Sequence, residues 1–263
     1  MSSPRVSILM ATNSCDGLFR LALASCLEQS FPDFELVLVV NGVSDDTFLQ
    51  IREHCGDPRI RLYRTDMRYL QFSLNLGLHF CRGELVARMD ADDVAYPQRL
   101  ARQVGFMDAH PDVAVCGSFC DLVDDRGQIV GRRTYPLDDA GIRALLYRDN
   151  PLCHPSVMYR RAPIVHRGGY QGYARAEDYY LWSTLAQDDG IVFANIPENL
   201  IAYRTESNAH PRVAARRQAR AAVAATQLQF LLATGDFRWL PGMLRSIRKV
   251  LSLALRKKIK RIQ

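Results

Sequence analysis

The chain has 263 residues, 48% hydrophobic and 24% charged, an ordinary globular composition that excludes general disorder and suffices to bury roughly 70–75% of the unfolded surface. The formal net charge is +6, but nine Lys/Arg and no acid lie from Phe237 onward, so residues 1–236 carry −3. The basic character belongs to the tail, no nucleic-acid motif accompanies it, and a nucleic-acid partner is excluded on that ground.

Taken in order, Val6 to Ala11 reads as a buried strand, followed by the polar turn Thr12 to Gly17 and an amphipathic helix through Leu18, Leu21, Ala22, Cys26 and Gln29 that Pro32 ends. Phe34 to Val40 is a second strand, and Asn41-Gly-Val-Ser-Asp-Asp46 supplies a turn and an N-cap for a helix through Cys55. Arg59 to Tyr63 is a third strand, Leu70 to Cys81 a third helix, and Glu84 to Met89 a fourth strand. Strands alternating with helices of this length imply a parallel, doubly wound α/β sheet whose loops after strands one, two and four share one rim.

Beyond a helix at Gln98 to Ala109 the pattern changes. Val113 to Val123 and Ile129 to Thr134 read as a hairpin about Asp124-Asp-Arg-Gly127, and Ala140 to Tyr147 as a short helix. A loop Asn150-Pro-Leu-Cys-His154-Pro precedes a strand at Ser156 to Tyr159, the glycine turn Gly168-Gly169 and a helix carrying Glu177-Asp178. Separate strands at Ile191 to Ala194 and Leu200 to Arg204 follow, then a helix over 212–236.

Seven cysteines without a Cys-x-x-Cys pair, most of them inside apolar patterns, fit reduced thiols in a cytoplasmic setting. The N-terminal apolar run is too short for a signal peptide, and no uncharged apolar run reaches about 18 residues.

The fourth strand stops in Met89-Asp90-Ala91-Asp92-Asp93, three carboxylates in four positions. Such a cluster can share a hard divalent cation that keeps free positions for phosphate oxygens. Equally, Asp92 or Asp93 can serve only to cap the helix beginning near Pro97. A calcium loop counted from Asp90 would need Gly where Ala95 stands and Glu where Ala101 stands. No Gly-x-Gly-x-x-Gly or P-loop pattern is present.

Six stretches in order, Val6-Ser-Ile-Leu-Met-Ala-Thr-Asn13, Phe34-Glu-Leu-Val-Leu-Val-Val-Asn41, Val86-Ala-Arg-Met-Asp-Ala-Asp-Asp93, His154-Pro-Ser-Val-Met-Tyr-Arg160, Ala176-Glu-Asp-Tyr-Tyr-Leu-Trp182 and Ala202-Tyr-Arg204, resemble the inverting glycosyltransferases of family 2. The members most similar build bacterial lipopolysaccharide, capsule and exopolysaccharide. The resemblance implies a GT-A fold, a Rossmann-like nucleotide-binding sheet with an acceptor-side subregion, over residues 1–210, with basic C-terminal helices over 211–263. It implies that Asp92 and Asp90 hold Mn2+ or Mg2+ against the donor diphosphate, Asp90 touching the ribose or the metal. Ala11, Thr12, Asn13, Asn41, Ala91, His154 and Arg204 would line the nucleotide-sugar site. Glu177 and Asp178 would sit beside the acceptor, with Asp178 as the base. On residue chemistry alone that pair also fits solvent-facing acids in a helix's first turn. His154 also fits a plain loop histidine, and Arg204 a surface group.

The chain departs from the family pattern at Ala11 for Pro, at Asn41 for Asp, at Tyr69 for a loop Gly and at Glu206 for His. The expected activity is transfer of a hexose, glucose or galactose, from a UDP-linked donor to a saccharide or lipid-linked saccharide acceptor, with dTDP-rhamnose as the alternative donor. The rivals are a sugar nucleotidyltransferase, whose glycine- and arginine-rich loop Thr12 to Gly17 lacks, and an inactive nucleotide-sugar-binding scaffold.

In the tail, Leu244, Ile247, Leu251, Leu255 and Ile262 fall on one helical side with basic residues filling most of the other. This fits attachment to an anionic membrane, at the inner face of the cytoplasmic membrane. A helix folded back on the catalytic domain with a solvated basic face fits as well.

Overall fold

The structure is a computed structural model that describes residues 3–205 and 213–259, without the side chains of 213–214 and 253–259. Glu206, Lys260, Arg261 and Ile262 lie outside the described residues, as do the side chains of Leu255, Lys257 and Lys258.

The first half follows the alternation of apolar runs: β1 (Val6–Thr12), α1 (Gly17–Leu27), β2 (Phe34–Asn41), α2 (Asp45–Glu53), β3 (Ile60–Thr65), α3 (Leu70–Phe80) and β4 (Leu85–Asp90). β1 and β2 are almost wholly buried because helices cover both faces of the sheet. The helices begin where their caps dictate: Asp16 accepts from the amides of Leu18 and Phe19, and Ser44 from that of Thr47.

After β4 come β5 (Val94–Ala95), α4 (Arg99–Ala109), β6 (Val113–Val123), β7 (Ile129–Arg133), α5 (Asp139–Leu146), a 3-10 turn at His154–Ser156, β8 (Met158–Arg160), α6 (Arg161–His166), α7 (Glu177–Leu185), β9 (Val192–Arg204), α8 (Val213–Thr234) and α9 (Trp239–Ile259). The sheet runs β3-β2-β1-β4-β8-β6-β9-β5, with β7 hairpinned onto β6. Its first four strands are parallel; β8 then lies antiparallel to both β4 and β6, so the sheet is mixed. One face carries α1, α2 and α4 over Ile8, Met10 and Met89, and the other carries α3, α5, α6 and α7 over Leu9, Val37 and Val86.

Three sequence expectations change. The two strands expected at Ile191 to Ala194 and Leu200 to Arg204 are one strand, β9, whose pairing with β6 slips in register around Pro197, a residue without an N–H for the ladder. The strand expected from Ser156 starts at Met158, because Pro155 sits in a 3-10 turn. Neither Asp92 nor Asp93 caps α4: its cap is Gln98, and β5 intervenes.

The C-terminal helices fold back onto the α7 face. Trp239 is buried against Phe230 and Tyr147, Gly242 sits against the carbonyl of Tyr147, and the Ser246 hydroxyl donates to Gln227 (3.0 Å). That leaves Leu244, Ile247 and Leu251 exposed beside Arg245 and Arg248. Among the described residues no helix is long and apolar enough to cross a membrane.

Candidate active site

Parallel register brings three strand ends to one edge. Ala11 pairs with Asp90 across β1 and β4, and Thr12 pairs with Val40, one step before Asn41. The buried Thr12 hydroxyl donates to the Ser14 carbonyl (2.9 Å) and accepts from the Ser14 amide (3.2 Å), closing the turn that exposes Asn13. Asn41 is buried; its Nδ2 donates to the Ser73 hydroxyl (2.9 Å), which in turn donates to the Tyr69 carbonyl (3.2 Å). One of the two N–H groups of the amide is thus engaged inside the protein, and its Oδ1 stays available as an acceptor. Tyr69 itself precedes α3 with its ring exposed.

Asp90, Asp92 and Asp93 each offer an oxygen within 4.8 Å of the others. They are graded in burial: Asp92 is exposed, Asp90 partly buried, and Asp93 only 2% exposed. Asp93 Oδ1 accepts the amide of Arg204 (2.7 Å), while its Oδ2 is buried without a partner. Burial and the charges of Asp90 and Asp92 push the Asp93 carboxyl well up, and loss of water together with Asp90 raises Asp92. An orphaned carboxylate oxygen beside two more acids is a donor set suited to Mn2+ or Mg2+, which favour all-oxygen ligation.

A buried cation at this edge is Arg88, 1% exposed, whose Nη2 reaches Asp90 Oδ1 at 2.5 Å. Its Nε and Nη1 have no partners. The Arg88 guanidinium is held above its ordinary pKa because Asp90 outweighs the burial that works against the charge.

On the opposite side α7 delivers the second pair of acids. The chain enters it through Gly168, Gly169, Gly172 and Arg175, all at positive φ; a Cβ at Gly169 would stand 2.3 Å from Asn75 Oδ1. Asn75 bonds both the amide and the carbonyl of Tyr170 (2.7 Å each), fastening this loop to α3. Arg175, at φ 71° without being glycine, is a strained residue two positions before the acids. Asp178 is partly buried, accepts from Asn150 Nδ2 (2.5 Å) and from the Tyr179 amide (2.7 Å), and is raised by burial and by Asp90 against the pull of those hydrogen bonds and of Arg88. Glu177 is 6% exposed, its Oε2 is unpartnered, and burial with Asp178 raises it. Acids so withdrawn from water are not solvent-facing residues of a first turn.

His154 is also interior. Its Nε2 lies 3.2 Å from the Tyr170 hydroxyl, its ring packs against Trp182, and burial plus Arg88 push its pKa well down, so it is neutral. Arg204 bonds the carbonyls of Asp92 (3.1 Å) and Asp124 (2.7 Å), clasping the acid loop. Sequence reasoning passed over the burial of Asp93, Asn150 as the partner of Asp178, and Arg88. Arg88 left a signal, as a charge in the middle of an otherwise apolar strand.

The family model for glycosyl transferase family 2 matches residues 7–168. The chain is 31% identical over 204 residues to the O-antigen biosynthesis glycosyltransferase WbnJ of Escherichia coli, covering 76% of this chain and 79% of that one. Among solved structures it resembles S. aureus TarS 1-349 in complex with UDP-GlcNAc (TM-score 0.65, 15% identity, 95% of this chain and 71% of that one). It also resembles the mannosyltransferase PcManGT from Pyrobaculum calidifontis in complex with GDP-Man and Mn2+ (TM-score 0.67, 18% identity, 97% and 74%).

The crowding of Asp93 has a measurable consequence. A carboxyl raised in the folded state binds its proton more tightly there than in the unfolded chain, so stability falls as pH rises above the ordinary carboxyl range. Asp93→Asn keeps the acceptor for Arg204 and removes the charge. In chelator at pH 7.5 it should be more stable than the parent by about 1 kcal/mol, with the gap closing near pH 4. Thermal unfolding checks this; an unchanged or lower Tm at pH 7.5 contradicts it.

Proposed function

The chain belongs to glycosyl transferase family 2, and from that premise we propose that it is an inverting, metal-dependent transferase of bacterial surface-polysaccharide biosynthesis. It moves a hexose, glucose or galactose, from a UDP-linked donor to a saccharide or lipid-linked saccharide acceptor. The observation that carries this reading is the meeting of two acid sets across one sheet edge, the strand-end aspartates on β4 and Glu177-Asp178 on α7, within electrostatic reach of each other.

Asp90 and Asp92 are the residues that would hold Mn2+ or Mg2+, whose charge answers the negative charge developing on the departing diphosphate. Asp178 is the base: it takes the proton of the acceptor hydroxyl as that oxygen attacks the anomeric carbon. The bond to the diphosphate breaks on the far side with its electron pair leaving on phosphate oxygen, which gives inversion. Burial makes Asp178 a stronger base, and the Asn150 hydrogen bond fixes its direction. A positioned base supplies about 10²–10⁴ in rate, roughly 3–5 kcal/mol, so the stabilised leaving group and alignment supply the larger share. Glu177 and the neutral His154 line the acceptor side beneath it, Ala11, Thr12, Asn13 and Ala91 face the nucleotide, and Arg204 orders the Asp92 loop against the diphosphate.

Asn41 supports a donor base with an imide N–H. Its Oδ1 has no partner within the protein and one N–H of its amide is spent on Ser73, which suits the imide N–H of uracil or thymine better than cytosine, whose N3 only accepts. The outward face of α9 supports docking on an anionic membrane, at the inner face of the cytoplasmic membrane where lipid-linked acceptors reside. Leu244, Ile247 and Leu251 are exposed among basic residues with no acid after Asp236, and each such charge near an anionic leaflet adds about 1 kcal/mol.

Four outcomes follow from these roles. Asp178→Asn should lower turnover about 10²–10⁴-fold with UDP binding nearly intact, and Asp92→Ala should abolish the Mn2+ dependence of donor binding; parent-like kinetics in either removes that residue from its role. UDP and dTDP should compete with the donor at least about tenfold better than CDP, in line with one unmatched hydrogen bond at the base; equal competition would sink the Asn41 assignment. In flotation assays the protein should accompany phosphatidylglycerol vesicles but not phosphatidylcholine vesicles, and lose the association when Leu244, Ile247 and Leu251 become Ser. Indifference to lipid charge or to those changes would refute membrane docking.

A further inference from the structure

Arg88 has no part in the chemistry outlined above, yet it occupies the centre of the site. It rises from β4 two residues before Asp90, on the same face of the strand, with Val86 as its apolar neighbour on that face. Its main chain is braced from both sides: its amide donates to the Val157 carbonyl (2.9 Å), and its carbonyl accepts from Arg99 Nη2 (2.7 Å). The guanidinium is buried and contacts Asp90 through a single nitrogen, end-on, while two of its nitrogens remain unpartnered. Burying guanidinium donors without acceptors is costly, and a fold retains such an arrangement only where the charge itself is needed.

We infer that Arg88 is a positioning residue, an internal counter-ion that holds Asp90 in place and weakens the hold of the Asp90-Asp92-Asp93 cluster on a bare divalent cation. The ion pair and an incoming metal would draw on the same Asp90 carboxylate, so the site prefers a cation that arrives with a nucleotide diphosphate to one bound permanently. This rests on the metal-site reading above and adds to it a residue that touches neither substrate nor ion.

The test uses the full chain and Mn2+ alone, with free Mn2+ followed by electron paramagnetic resonance and folding checked by thermal unfolding. Arg88→Met should bind Mn2+ about tenfold more tightly than the parent, since a cation a few ångströms from the ligands is gone. Arg88→Lys keeps the charge and should stay within about twofold of the parent. In an Asp90→Asn background, where the contested oxygen no longer carries charge, Arg88→Met should tighten binding by less than about threefold. A purely structural role would loosen the site, so weaker or unchanged Mn2+ binding in a folded Arg88→Met overturns the inference. If Arg88→Met does not fold, Arg88→Gln takes its place with the same expectation. If neither the parent nor Arg88→Met binds Mn2+, alone or with UDP, the metal-site reading and this inference fall together, whereas a parent that binds it while Arg88→Met matches the parent overturns the inference alone.

Discussion

Three carboxylates within four residues cannot all remain charged at one sheet edge unless a cation stands beside them. The fold supplies one of its own. Arg88, buried in the strand that ends in those acids, pairs with Asp90 and moderates the rest. Around this pair the edge is tied down by main-chain bonds: Asp93 to the amide of Arg204, Arg204 to the carbonyl of Asp92, Arg99 to the carbonyl of Arg88. The crowding that makes the cluster unfavourable by itself is also what makes it receptive to a divalent ion.

β4 is the seam of the molecule. On one side it pairs in parallel with β1 and carries the parallel half of the sheet, whose ends present Thr12 and Asn41; on the other it pairs antiparallel with β8, behind which lie the Asn150 loop and α7. A site that must align a nucleotide sugar with a second sugar gains from this arrangement. Its two acid sets, at the turn that ends β4 and in the first turn of α7, lie on the two sides of that strand. The fastening of Tyr170 by Asn75 adds a second tie, between α3 and the loop that enters α7.

The parallel half was legible because its strands are mainly apolar runs and α2 begins at the capping turn its sequence offers; boundaries there shift by a residue or two. The second half was less so. Pro197 reads as a break, yet the strand bulges past it; α6, six residues long, carries no usable period. The acids at Asp90, Asp92 and Asp178 were visible as a pattern in register with a family. What sequence alone could not give was partnership: which nitrogen faces Asp178, which end of the Asn41 amide is engaged, and that Asp93 is interior while its neighbour Asp92 is open to solvent. Those depend on contacts between residues 28 to 111 positions apart. Arg88 stood inside the motif as a charge in an apolar run, but its pairing with Asp90 appears only in the fold.

The central claim is that a cation held by the β4 aspartates and a base on α7 face the same anomeric carbon. The most direct measurement is anomalous diffraction from crystals soaked with Mn2+ and a UDP-sugar. The account expects the manganese peak at ligand distance from Asp92 and Asp90, bridging the diphosphate, with the Asp178 carboxylate turned toward the sugar. A nucleotide bound away from those aspartates, or Asp178 facing away from the anomeric carbon, would contradict it.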